Sequence, residues 1–124
     1  MQYRNRQGEP ISLMEWADLF EDKDYIFVGR DLLAHPETKM VYDVITVWVG
    51  HTLDDGPNII FETAVYRPDS SPRIVGRYST EKEAAEGHAL ACWVVLRLFA
   101  EGEIHTEWTG PMSLVEVVMK GVLL

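Results

Sequence analysis

The sequence predicts an α+β fold, an antiparallel meander of three to four strands with two helices on one face, and three observations predict it. Two capping boxes, Ser12 with Glu15 and Thr80 with Glu83, open two separate helical periodicities. Between them lie runs rich in β-branched and aromatic residues, broken by turn-forming clusters. No repeat, low-complexity stretch or linker divides the 124 residues. The resulting order, (β)αβββα plus an apolar C-terminal tail, packs most simply as helices laid on a meander.

The first strand is short, within 2–7, and turns at Gly8-Glu9-Pro10. Ser12 then caps a helix over 13–21. Ile11 before the cap and Trp16 inside it have the spacing of a hydrophobic staple. Leu13, Trp16, Ala17 and Phe20 recur at i, i+3, i+4 and i+7, one face built for burial. Residues 25–32 alternate loosely and end in the turn His35-Pro36-Glu37-Thr38. The strand at 40–49 has Tyr42, Val44 and Trp48 on one face and Val41, Ile45 and Val47 on the other. Residues 51–58 contain Asp54-Asp55-Gly56-Pro57 and are expected as a loop. In 59–66, Ile59, Phe61, Thr63 and Val65 oppose Glu62 and Tyr66. A short strand at 74–78 leads into the second helix.

That helix starts with acidic residues, which suit the positive end of its dipole. Ala85, Ala89, Cys92, Leu96 and Phe99 form its expected buried stripe, and Gly102 is placed to end it. The expected core is Trp16, Phe20, Val47, Ile59, Phe61, Ala89, Cys92, Leu96 and Phe99. The chain reads as one domain over 1–124, with 103–124 as an extension for packing or oligomerisation.

Composition excludes several classes. Apolar residues make up 47% and charged residues 25%, a globular mixture rather than a disordered one. The only cysteine, Cys92, forbids an intrachain disulfide and favours a reducing compartment. The N-terminus is polar and unlike a signal peptide. The longest apolar run, 89–96, is far short of the roughly 20 residues that cross a bilayer. A net charge of −9 argues against nucleic acid as a partner, because phosphate binding needs clustered Lys and Arg. The α-β-β-β-α order matches double-stranded RNA-binding domains, but the second helix opens Thr80-Glu81-Lys82-Glu83, with Lys82 its only basic residue.

Chemical motifs are few. Glu103, His105 and Glu107 would share one face of a strand and are the candidate metal ligands. His51, Asp54 and Asp55 cluster in a loop but lack the acidic repeat of a calcium site. His88 is explained by packing or a hydrogen bond, and Cys92 by its place on an apolar stripe. Phosphate-cradling glycine motifs and nucleophile elbows are absent from the sequence, so neither a catalytic residue nor a cofactor is expected. The two-faced strand leaves one apolar surface needing cover, by the tail or by another protein. Tyr42, Trp48, Leu114, Val118 and Leu123 are the interface candidates.

Four stretches resemble a group of small uncharacterised proteins encoded by phages of actinobacteria, of the mycobacteriophage type. They are Arg6-Gln7-Gly8-Glu9-Pro10-Ile11-Ser12 with Trp16, Thr46-Val47-Trp48-Val49-Gly50, Ile60-Phe61-Glu62-Thr63-Ala64-Val65, and Arg77-Tyr78-Ser79-Thr80-Glu81 continuing through Glu83-Ala84 to Gly87-His88. The resemblance covers about residues 1–90 and implies a phage origin and a life in the cytoplasm of a bacterial host. It carries no activity. The expected role is a protein–protein interaction module that engages a host or phage protein, or a second copy as a homodimer. A metal-binding or hydrolytic enzyme using His, Asp and Glu is the alternative, and a nucleic-acid-binding domain the third reading.

Overall fold

The helices begin where side chains satisfy their unpaired amides. The computed structural model describes residues 1–53, 56–68 and 71–101. In chain order these form β1 (Gln2–Arg4), β2 (Pro10–Ile11), α1 (Leu13–Phe20), α2 (Lys23–Ile26), β3 (Phe27–Ala34), β4 (Val41–Trp48), β5 (His51–Thr52), β6 (Phe61–Tyr66), β7 (Arg73–Tyr78) and α3 (Glu81–Glu101). Ser12 Oγ accepts from the Glu15 amide at 3.1 Å, and the Glu15 carboxylate accepts from the Ser12 amide at 3.3 Å. Thr80 Oγ1 accepts from the Glu83 amide at 3.1 Å and donates to the Glu83 carboxylate at 2.9 Å.

Strands β3, β4, β6 and β7 form the main sheet in that order, every pair antiparallel. The expected α+β meander is therefore present. A second sheet, β2-β1-β5, uses His51 and Thr52, which the sequence placed in a loop. The cause is a strand partner far away in sequence. Gln2 pairs with Thr52 and Tyr3 with His51, a contact that no local turn signal reports. Tyr25 lies in α2 rather than opening a strand, because Asp22 caps that turn by accepting from the amides of Asp24 and Tyr25.

Register fixes the two faces of the main sheet. Tyr42, Val44, Thr46 and Trp48 point inward, as do Phe61, Thr63 and Val65 across from them. α3 lies along this inner face against all four strands. The core has two parts. One gathers Tyr42, Val44, Val65 and Val75 under Ala91, Val94, Val95 and Phe99 of α3. The other gathers Trp48, Ile60, Phe61 and Ala84, with Trp16 and Leu19 of α1 packed against them. Both long helices thus meet the same face of the sheet.

Trp48 ties the two sheets together. Its side chain is wholly buried, and its indole N–H donates to the Arg4 carbonyl at 3.0 Å. Gly50, at φ +68°, follows two residues later, and a Cβ there would collide with the Trp48 ring. Trp16 Nε1 donates to the Val49 carbonyl at 2.9 Å, fastening α1 to the same corner.

The expected core is corrected at several positions. Phe61 and Phe99 are buried as expected. Ile60 is buried in place of Ile59, and Trp16, Val47 and Cys92 are half-buried. Phe20, Ala89 and Leu96 are exposed. On α3 the buried line runs Ala84, His88, Ala91, Val95 and Phe99, one residue away from the expected stripe through most of its length. Gly102 and the tail lie outside the described residues.

Candidate functional site

The inner face of the sheet is apolar except along one line, where a connected polar network crosses it. β4 and β6 bring Thr46 and Thr63 directly opposite each other, both fully buried, with their hydroxyl oxygens 2.6 Å apart. Tyr78 at the end of β7 donates to Thr63 Oγ1 at 3.0 Å. Its ring fits because Gly76 and Gly87 carry no side chain, since a Cβ at either would collide with it. On the other side, Thr46 Oγ1 lies 2.8 Å from Nδ1 of His88, which α3 presents to the sheet.

His88 is 8% exposed, so both ring nitrogens need partners. Nε2 meets Asp31 Oδ2 at 2.7 Å. Asp31 points inward because it pairs with Val44 across the β3–β4 ladder. Gly29, two residues before it, gives the imidazole its room, for a Cβ there would stand 2.8 Å from the ring. One orientation satisfies the whole chain. Tyr78 donates to Thr63, Thr63 to Thr46, and Thr46 to Nδ1, which leaves the Nε2 proton for Asp31.

Cys92 lies one helical turn beyond His88, on the same side of α3. Its sulfur is 3.7 Å from His88 Nε2 and 3.6 Å from Asp31 Oδ2. The result is an imidazole, a carboxylate and a thiol converging at the open edge of the network, where the Asp31 side chain is 56% exposed.

The electrostatics are uneven. The hydrogen bond from His88 holds the Asp31 carboxyl below its usual range, against a smaller opposing effect of burial. Burial pushes the Cys92 thiol up to about 11, and the Asp31 charge and hydrogen bond add to that. A thiol so placed is protonated at neutral pH and is a poor nucleophile. His88 Nε2 is also engaged by Asp31, so no general base stands free for it. The constellation is unsuited to acyl transfer, although its three ligand types suit a cation.

The sequence-predicted sites fall elsewhere. Tyr42 and Trp48, expected as interface candidates, are core residues: Tyr42 is 3% exposed and packs edge-on against Phe99. The alternation of β4 was legible, but α3 covers the face that carries these aromatics. His51 is exposed and lies edge-on to Trp16. Asp54, Asp55, Glu103, His105, Glu107, Leu114, Val118 and Leu123 lie outside the described residues. At the start of α3, Glu81 pairs with Arg6 and Lys82 with Glu86, so the turn that would face phosphates in a double-stranded RNA-binding domain is mainly acidic. Sequence reading missed the Asp31–His88–Cys92 cluster. The His-x-x-x-Cys spacing on a helix was its available signal, whereas Asp31 joins only through strand register.

Among the described residues, no helix is long and apolar enough to cross a membrane. No family model, curated protein or solved structure matches the chain.

Proposed function

We propose that this chain is a phage-encoded protein–protein interaction module, acting in the cytoplasm of a bacterial host, that engages another protein through the outer face of its main sheet. What supports the reading is the chemistry of that face. Phe27, Leu32 and Ala34 of β3, Val41, Ile45 and Val47 of β4, and Tyr66 of β6 all point away from α3 by register. Leu32 is 63% exposed and Tyr66 43%, and Ile74 of β7 lies exposed nearby. α3 packs on the opposite face, against Tyr42, Val44 and Val65. Exposed apolar side chains gathered on one face of a small domain are a mark of an interaction site.

Charge favours a different protein over a second copy. The face carries two cross-strand ion pairs, Arg30 with Asp43 at 2.8 Å and Glu62 with Arg77 at 3.9 Å, so it is close to neutral. The chain as a whole has a net charge of −9, so two copies repel while a neutral or basic partner does not.

The test is affinity capture from actinobacterial lysate by the full chain and by a Leu32→Asp/Tyr66→Asp variant, each with and without nuclease. One protein held by the parent in both conditions, and released by the variant, is the expected result. Capture that ignores the variant, or that vanishes with nuclease, refutes the reading.

A further inference from the structure

We propose that Asp31, His88 and Cys92 form a binding site for a zinc-type divalent transition-metal ion, with the Thr46–Thr63–Tyr78 hydroxyl chain as its supporting shell. The inference goes beyond the interaction surface, which lies on the opposite face of the sheet. Its first ground is ligand identity. One imidazole nitrogen, one carboxylate oxygen and one sulfur make a donor set that zinc accepts and that magnesium and calcium do not favour.

Geometry is the second ground. Around a tetrahedral zinc ion, nitrogen and oxygen ligands stand about 3.3 Å apart, and each stands about 3.6 Å from a sulfur ligand. The sulfur of Cys92 already lies 3.7 Å from His88 Nε2 and 3.6 Å from Asp31 Oδ2. Only the 2.7 Å hydrogen bond between Nε2 and Oδ2 must open, by roughly half an ångström on the ligand spacing just given. Asp31 can supply that movement, since its side chain is 56% exposed while His88 is held in the core. Three protein ligands leave a fourth position, which the exposure of Asp31 opens to water.

The third ground lies behind the imidazole. A ligating histidine normally has its other ring nitrogen bonded, which fixes the ring and its tautomer. Here Nδ1 meets Thr46 Oγ1 at 2.8 Å. Binding through Nε2 requires the proton on Nδ1, and the hydroxyls accommodate this by reversing direction: Nδ1 donates to Thr46, and Thr46 to Thr63. The ion displaces two protons. The Nε2 proton moves, through solvent, to Nδ1 in net effect, and the Cys92 thiol proton is released to water as the metal–sulfur bond forms.

Cobalt(II) titration of the full-length, metal-free protein tests the site. Cys92 is the only cysteine in the chain, so a thiolate-to-cobalt charge-transfer band reports on it alone. The expected result is saturation of that band at one cobalt per chain, with bleaching on addition of zinc. Cys92→Ser should abolish the band, and Asp31→Asn should weaken affinity by roughly tenfold or more. Both substituted side chains lie at the open edge of the network, and far-UV circular dichroism checks that each variant stays folded. Cobalt uptake without the band, no uptake, or a band and affinity unchanged in Asp31→Asn would overturn the proposal.

Discussion

His88 is a polar side chain inside an otherwise apolar interface, and its cost is offset only while both nitrogens are bonded. Thr46→Val is nearly isosteric and removes the partner of Nδ1 together with one partner of Thr63. Leaving buried polar groups unsatisfied costs about 1–3 kcal/mol, so urea unfolding should show a loss of that size. A loss near zero would mean that water or another group replaces the hydroxyl. The thiol gives a second prediction, for metal-free protein. With Cys92 pushed up to about 11, its alkylation by iodoacetamide should be slow at neutral pH and rise steeply toward that value. The Asp31 charge disfavours the thiolate, so Asp31→Asn should shift the alkylation profile to lower pH. A profile that stays put or moves upward contradicts the geometry. The Asp31 carboxyl itself is lowered from 3.8 by His88. Its contribution to stability is therefore present above that unfolded value and lost as pH falls through the folded one.

Most elements with local signals are legible in the sequence, the short α2 behind its Asp22 cap being the exception. Both caps form hydrogen bonds at the predicted residues, and the alternation of β4 holds position by position, while that of β6 is broken by the buried Ala64. What failed was the choice between neighbouring faces. The second half of α3 is apolar nearly all round, so periodicity alone could not say which stripe faces the sheet. The buried histidine decides it. With His88 turned inward, Ala84, Ala91 and Val95 follow at helical spacing, and Ala85 and Ala89 turn outward. The candidate site is hidden for the same reason, because packing or a hydrogen bond accounts for His88 in the sequence alone. Two alanine substitutions test the corrected stripe. Ala84 has no exposed surface, and Ala84→Leu should overpack the cluster around Trp48 at a cost of about 1–3 kcal/mol. Ala85→Leu should stay within about 0.5 kcal/mol of the parent, because exposed helix positions tolerate leucine. A larger cost at Ala85 than at Ala84 would restore the original stripe. α1 behaves differently, since none of its residues is fully buried. Ser12→Ala should cost about 1 kcal/mol and loosen 13–20 by hydrogen exchange before the main sheet opens.

For the whole molecule, the decisive quantity is how its charge is distributed around a nearly neutral sheet face. Twenty acidic side chains stand against eleven basic ones, yet the outer face pairs Arg30 with Asp43 and Glu62 with Arg77. On the proposed reading, apolar contact governs short-range docking on that face, while the net charge acts at long range. The two parts respond differently to salt. The screening length falls from about 30 Å at 0.01 M ionic strength to about 8 Å at 0.15 M. Repulsion between two copies is therefore strongest in dilute salt, where sedimentation velocity should find a monomer. Association with a basic partner should be fastest under the same conditions and slow as salt rises. Leu32→Asp should remove the partner interaction at every ionic strength, because it places a charge at the apolar contact without touching the core. A dimer that is tight in dilute salt and is broken by Leu32→Asp would assign the face to a second copy of this chain, since attraction between acidic bodies then has to come from the sheet itself.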